Sequence, residues 1–109
     1  MEWLGNGPNT IYLTLHYGAN NSQQEGIVNI SGLSSGFHRF GVLWTPTSVV
    51  WYIDGIQKYS TTTGVPTKDM FVVLNNDTGG WNGNAVDKST VFPAILSIDY
   101  VAVWAPPGG

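Results

Sequence analysis

The chain has 109 residues, no cysteine and a formal net charge of −3. Its four cations, Arg39, Lys58, Lys68 and Lys88, are scattered, so no basic stripe exists to bind nucleic-acid phosphates or an anionic membrane surface. With 10% charged and 13% aromatic residues and fourteen glycines, the composition fits neither disorder nor a disulfide scaffold, and instead indicates one turn-rich β domain.

The chain opens on Met1-Glu2-Trp3-Leu4-Gly5. A carboxyl group beside an aromatic face suits sugar chemistry, since the first can move a proton at a glycosidic oxygen and the second can stack on a ring. No basic and apolar leader follows Met1, which leaves two expectations: a cytoplasmic chain, or a piece of a larger protein. No apolar run reaches the roughly 18 residues of a membrane span.

Asn6-Gly7-Pro8-Asn9 reads as a turn. Ile11, Leu13, Leu15 and Tyr17 then alternate with Tyr12, Thr14 and His16, the period of a strand with one apolar and one polar face. Gly18 to Gly26 reads as a polar loop, and Ile27 to Ile30 as a short strand. Phe37 to Trp44 reads as a strand with His38, Phe40, Val42 and Trp44 on one face. Val49 to Ile53 is apolar on both faces, as inside a sandwich. Asp54-Gly55 is a hairpin turn leading into Ile56–Ser60. Met70 to Leu74 reads as another apolar strand. A long Gly- and Asn-rich loop, 78 to 93, carries Trp81, and a last strand runs from about Ile95 to Trp104. Pro106 to Gly109 reads as a linker or tail after a domain spanning residues 1–105. With no helical period anywhere, the expected fold class is all-β, an antiparallel sandwich.

Several stretches, in this order, resemble the C-terminal half of a family 16 glycoside hydrolase, the group of laminarinases and other β-glucanases. They are Met-Glu-Trp-Leu-Gly at 1–5, Phe37-His38 leading to Trp44-Thr45-Pro46, and Trp51-Tyr52-Ile53-Asp54-Gly55. Leu74-Asn75-Asn76 before Gly79-Gly80-Trp81, and Phe92-Pro93-Ala94 before Ile98-Asp99-Tyr100-Val101, complete the set. The resemblance implies a jelly-roll (concanavalin-like) sandwich, here a partial one, with a sugar cleft on one sheet. The family's signature is Glu-x-Asp-x-x-Glu: nucleophile, assisting Asp, and general acid/base. Glu2 matches the last position. The first two positions would fall before Met1, so the chain begins inside the motif.

The resemblance therefore assigns Glu2 as the catalytic acid/base. Candidate substrate contacts are Trp3 and Trp81 as sugar platforms, His16 on a strand facing the cleft, and Asn75 at a strand end bordering it. Core packing is the rival role for Trp3 and Trp81, a hydrogen-bonded structural role for His16, and local turn bonds for Asn75 and its neighbours. Trp44, Trp51 and Trp104 read as core, and His38 as structural. Asp99 matches an aspartate that in many members binds a structural calcium of the intact protein, with companion ligands from elsewhere. No other cofactor is expected. The expected partners are a β-glucan polysaccharide or oligosaccharide, and a second copy or a completing half that covers exposed strands. The parent is expected to be a secreted retaining endo-β-1,3 or β-1,3/1,4-glucanase, and the chain alone to be nearly inactive. Alternatives of other classes are a non-catalytic carbohydrate-binding module and a structural, self-associating β domain.

Overall fold

The computed structural model describes residues 1–79 and 86–105; Trp81 and the expected tail 106–109 lie outside them. The chain divides into two compact units, Met1–Val72 and Val73–Gly109.

The first unit holds six strands: β1 (Glu2–Trp3), β2 (Thr10–Tyr17), β3 (Ser22–Asn29), β4 (Phe40–Trp44), β5 (Val49–Ile53) and β6 (Ile56–Thr61). They form two antiparallel three-stranded sheets, β1-β2-β3 and β4-β5-β6, an all-β sandwich of partial jelly-roll type. The described residues contain no helix. Period-two patterning explains the core. Ile11, Leu13 and Leu15 on β2 and Val49, Trp51 and Ile53 on β5 are buried in one cluster, which Leu33 from the β3–β4 connection joins. Burying each such side chain stabilises the fold by about 1.5–3 kcal/mol.

Turn chemistry sets the registers. Asp54 and Gly55 both have positive φ, 52° and 79°, which is the two-residue turn that the right-handed twist of a hairpin favours. One residue of β6 is extra. Tyr52 pairs with Gln57 while Trp51 pairs with Tyr59, so Lys58 bulges out of the ladder. Without the bulge Lys58 would oppose Trp51 on the core face. With it, the Tyr59 ring stacks on Trp51 at 5.2 Å and 29°. Gly26 of β3 meets this same ring: a Cβ there would lie 2.5 Å from Tyr59 Cγ, so only glycine lets the two sheets approach so closely.

Four stretches differ from the sequence expectation. The polar stretch Ser22–Gly26, read as loop, is the first half of β3, paired with β2 over eight positions from Thr10↔Asn29 to Tyr17↔Ser22. Only 18–21 remain as the turn, closed by Asn21 N–H to the Gly18 carbonyl. The strand read from Phe37 begins at Phe40, because Asp54 occupies the ladder before it. The Arg39 N–H donates to Asp54 Oδ1 and the Asp54 N–H donates to the Arg39 carbonyl, each at 2.9 Å. Met70–Leu74 and Ile95–Trp104 carry no strand, and most of their apolar residues are exposed. A strand exists through its ladder, and neither stretch pairs with a described strand. For the same reason Trp104, read as core, is exposed, and Trp44 on edge strand β4 is only partly covered, its Nε1–H donating to the Pro66 carbonyl. Trp51 is core as expected, 3% exposed.

In Val73–Gly109 the described residues show no regular secondary structure. The Asn75 amide donates to the Asp77 carboxylate, and the Asn76 amide donates to the Ala94 carbonyl at 3.3 Å.

Candidate functional site

Register places the candidate residues of the first sheet. Glu2 lies opposite Tyr12 and Trp3 opposite Ile11. Opposed residues of an antiparallel pair share a face, and neighbours along a strand do not. Glu2 is therefore on the outward face with Tyr12, Thr14 and His16, and Trp3 is on the core-side face with Ile11. The adjacent carboxylate and indole point to opposite sides of the sheet. The Trp3 indole N–H donates to the Pro8 carbonyl at 3.1 Å, which ties β1 to the turn after it.

The outward face continues across β3 with Gln23, Glu25, Ile27 and Asn29, all exposed. Thr10 Oγ1 donates to Asn29 Oδ1 and Thr14 Oγ1 donates to Glu25 Oε1, both at 2.9 Å. His16, exposed, stands opposite Gln23. The result is a largely polar surface of one sheet: carboxylates, hydroxyls, amides and an imidazole around Tyr12 and Ile27, with the apolar core on the opposite side. Such a surface can exchange hydrogen bonds with a polyhydroxyl ligand, and Glu2 can act there as a proton donor and acceptor.

Glu25 went unread in the sequence because its stretch lacks the apolar alternation that marks a strand. A signal was present: eight residues placed antiparallel to Thr10–Tyr17 across a short Gly-Asn turn put every second one on the His16 face.

In the second unit, Asn75 is exposed, and Asn76, Asp77, Thr78, Phe92, Pro93 and Ala94 line an open hollow of about 570 Å³. Asp99 is exposed. Among the described residues no three His, Cys, Asp or Glu side chains gather as a metal site.

The one clear electrostatic perturbation of the first unit lies elsewhere. Asp54 and His38 are paired, which holds the Asp54 carboxyl below its ordinary range and the His38 imidazole above its own, in each case chiefly through their mutual hydrogen bond. His38 thus ties the β3–β4 connection to the β5–β6 turn.

The chain is similar to several curated proteins. It is 32% identical over 108 residues to the endo-1,3-1,4-beta-glycanase EglC of Rhizobium meliloti (strain 1021), covering 96% of this chain and 23% of that protein. It is 31% identical over 90 residues to a beta-glucanase of Paenibacillus polymyxa, covering 81% and 35%. It is 27% identical over 121 residues to a beta-glucanase of Rhodothermus marinus, covering 95% and 42%. The chain thus spans less than half the length of each of these relatives. No solved structure matches it. The profile of the glycosyl hydrolases family 16 matches residues 1–101, and with that match and these relatives the chain belongs to the glycosyl hydrolases of family 16.

Proposed function

We propose that this chain carries the acid/base side of a retaining endo-β-glucanase acting on β-1,3 or mixed β-1,3/1,4 glucan, with Glu2 as the acid/base. The observation that carries this reading is the position of Glu2 on an exposed polar sheet face, in register with Tyr12 and beside the row that holds His16. In the retaining reaction a carboxylic acid protonates the leaving oxygen, then deprotonates the water that releases the sugar. His16, Asn75 and Trp81 are proposed substrate contacts. Trp3, on the core-side face, holds β1 and thereby Glu2.

The reaction needs a second carboxyl group roughly 5 Å from the first. On the sheet that carries Glu2, the other carboxylate is Glu25, two strands away and two residues along, roughly 12 Å between backbones. The chain alone is therefore proposed to turn over little or no glucan. Reducing-sugar release from laminarin and lichenan tests this. Normal glucanase turnover that Glu2→Gln abolishes would show that a nucleophile exists within these 109 residues.

A second reading, a self-associating β domain, is favoured by apolar exposure. Phe40, Val42 and Trp44 of β4 share a face with the core residues Ile53, Trp51 and Val49, yet remain well exposed, and Met70–Leu74 is exposed throughout. A second copy or a completing half is the proposed cover.

A further inference from the structure

Strands β1, β2 and β3 contain no lysine or arginine, and their outward face carries two carboxylates, Glu2 and Glu25. Glu25 is exposed, yet it is not left to sweep through solvent. The Thr14 hydroxyl donates to its Oε1 at 2.9 Å and holds the carboxylate toward β2. An ionised carboxylate has about four lone-pair sites. Thr14 uses one, and the rest remain for a ligand. One row away, Tyr12 of β2 stands between Glu2 and Ile27 of β3, and Ile27 is 59% exposed. An aromatic ring and an exposed aliphatic side chain form a ledge for the C–H face of a sugar ring, flanked by acceptors for its hydroxyls.

We propose that Glu25, held by Thr14, determines specificity on the Glu2 face: it accepts the hydroxyls of a neutral glycan and repels glycans that carry sulfate or carboxylate groups. The inference rests on reading this face as a glucan site. Its physics is one-sided. A charged acceptor strengthens a hydrogen bond from a sugar hydroxyl roughly twofold over a neutral acceptor. The same charge, with Glu2 on the same face and no cation on the three strands, disfavours an anion placed there.

Binding of the 109-residue chain to laminarin and to sulfated laminarin, by affinity electrophoresis and calorimetry, tests the proposal. The wild type is expected to bind laminarin and to bind the sulfated form more weakly. Glu25→Gln keeps the size of an exposed side chain, and an unchanged circular dichroism spectrum verifies its fold. This variant is expected to lose about tenfold in laminarin affinity and to gain affinity for sulfated laminarin, the gain shrinking at high salt. Thr14→Val removes the positioning hydroxyl and keeps the charge, so it weakens laminarin binding while the discrimination persists. A wild type that binds laminarin, with a Glu25→Gln variant that binds both polymers as the wild type does, overturns the role of Glu25 and leaves the glucan reading intact. A wild type that prefers the sulfated polymer also overturns it. Binding of neither polymer overturns both readings together.

Discussion

His38 Nδ1 lies 2.8 Å from Asp54 Oδ2, and the other ring nitrogen lies 3.3 Å from the Gly32 carbonyl oxygen. Both partners are acceptors, so the ring that satisfies both is the doubly protonated one. The contact links the β3–β4 connection to the β5–β6 turn, sixteen residues apart.

This pair predicts a pH dependence of stability. The His38 pKa is raised on folding, so its contribution is complete below the unfolded value of about 6.5 and is lost as pH rises through the higher folded value. The Asp54 pKa is lowered, so its contribution is complete above about 3.8 and is lost as pH falls through the lower folded value. Asp54 is exposed and His38 partly so, and the effect is small. Melting temperature followed from pH 5 to pH 9 is expected to fall on the alkaline side in the wild type. In Asp54→Asn, which keeps an oxygen for the Arg39 N–H and suits the turn, that part of the fall disappears. Parallel curves for the two proteins would contradict the pairing.

Gly26→Ala is expected to cost about 1–3 kcal/mol, since a Cβ at this position requires the Tyr59 ring to move off Trp51. In the Tyr59→Ala background the same change is expected to cost much less. Urea denaturation of the four proteins of that cycle measures the difference, and additive costs would show that the two residues do not meet.

Laminari-oligosaccharide binding is expected to weaken in Trp81→Ala, by about 1 kcal/mol if the ring stacks on a sugar. Trp3→Phe, which keeps an apolar side chain and removes the bond to Pro8, is expected to act through β1 instead. It should lower the melting temperature more than it lowers affinity. Calorimetry and thermal melts on the same samples separate the two; equal affinity in Trp81→Ala and wild type removes Trp81 from the site.

The exposed apolar residues of β4 and of 70–74 predict association at micromolar concentration. Sedimentation velocity is expected to show dimers or larger species, and Val42→Lys to shift them toward monomer. A wild type that sediments as a monomer at every concentration rules out the self-associating reading.

Strands with an apolar partner on every second residue were legible in the sequence, as β2 and β5 show, and so was the Asp54-Gly55 turn. Strand β3 was not, because Gln23 and Glu25 face solvent and Gly26 serves a tyrosine distant in sequence, leaving no apolar alternation to read. The stretches 70–74 and 95–104 failed in the opposite sense. Their patterns are those of strands, but pairing depends on a neighbour, which no local pattern encodes. On the site, the resemblance pointed to Glu2 and His16, and register puts both on one face. The opening carboxylate and indole, Glu2 and Trp3, read as a pair because they are adjacent in sequence, and adjacency in a strand means opposite sides.

The bulge at Lys58 is where the β5–β6 hairpin stores one residue more than its ladder needs. Replacing Lys58 by another polar residue leaves Tyr59 on Trp51, and removing it closes the bulge with Tyr59 still opposite Trp51, since Ile56, Gln57 and Tyr59 then face Ile53, Tyr52 and Trp51 in unbroken register. A library that varies the side chain at this position, or deletes it, should therefore yield folded proteins freely, whereas one further residue that the bulge does not absorb turns Tyr59 outward. The ladder is read by counting, and Lys58 is the one residue left out of the count.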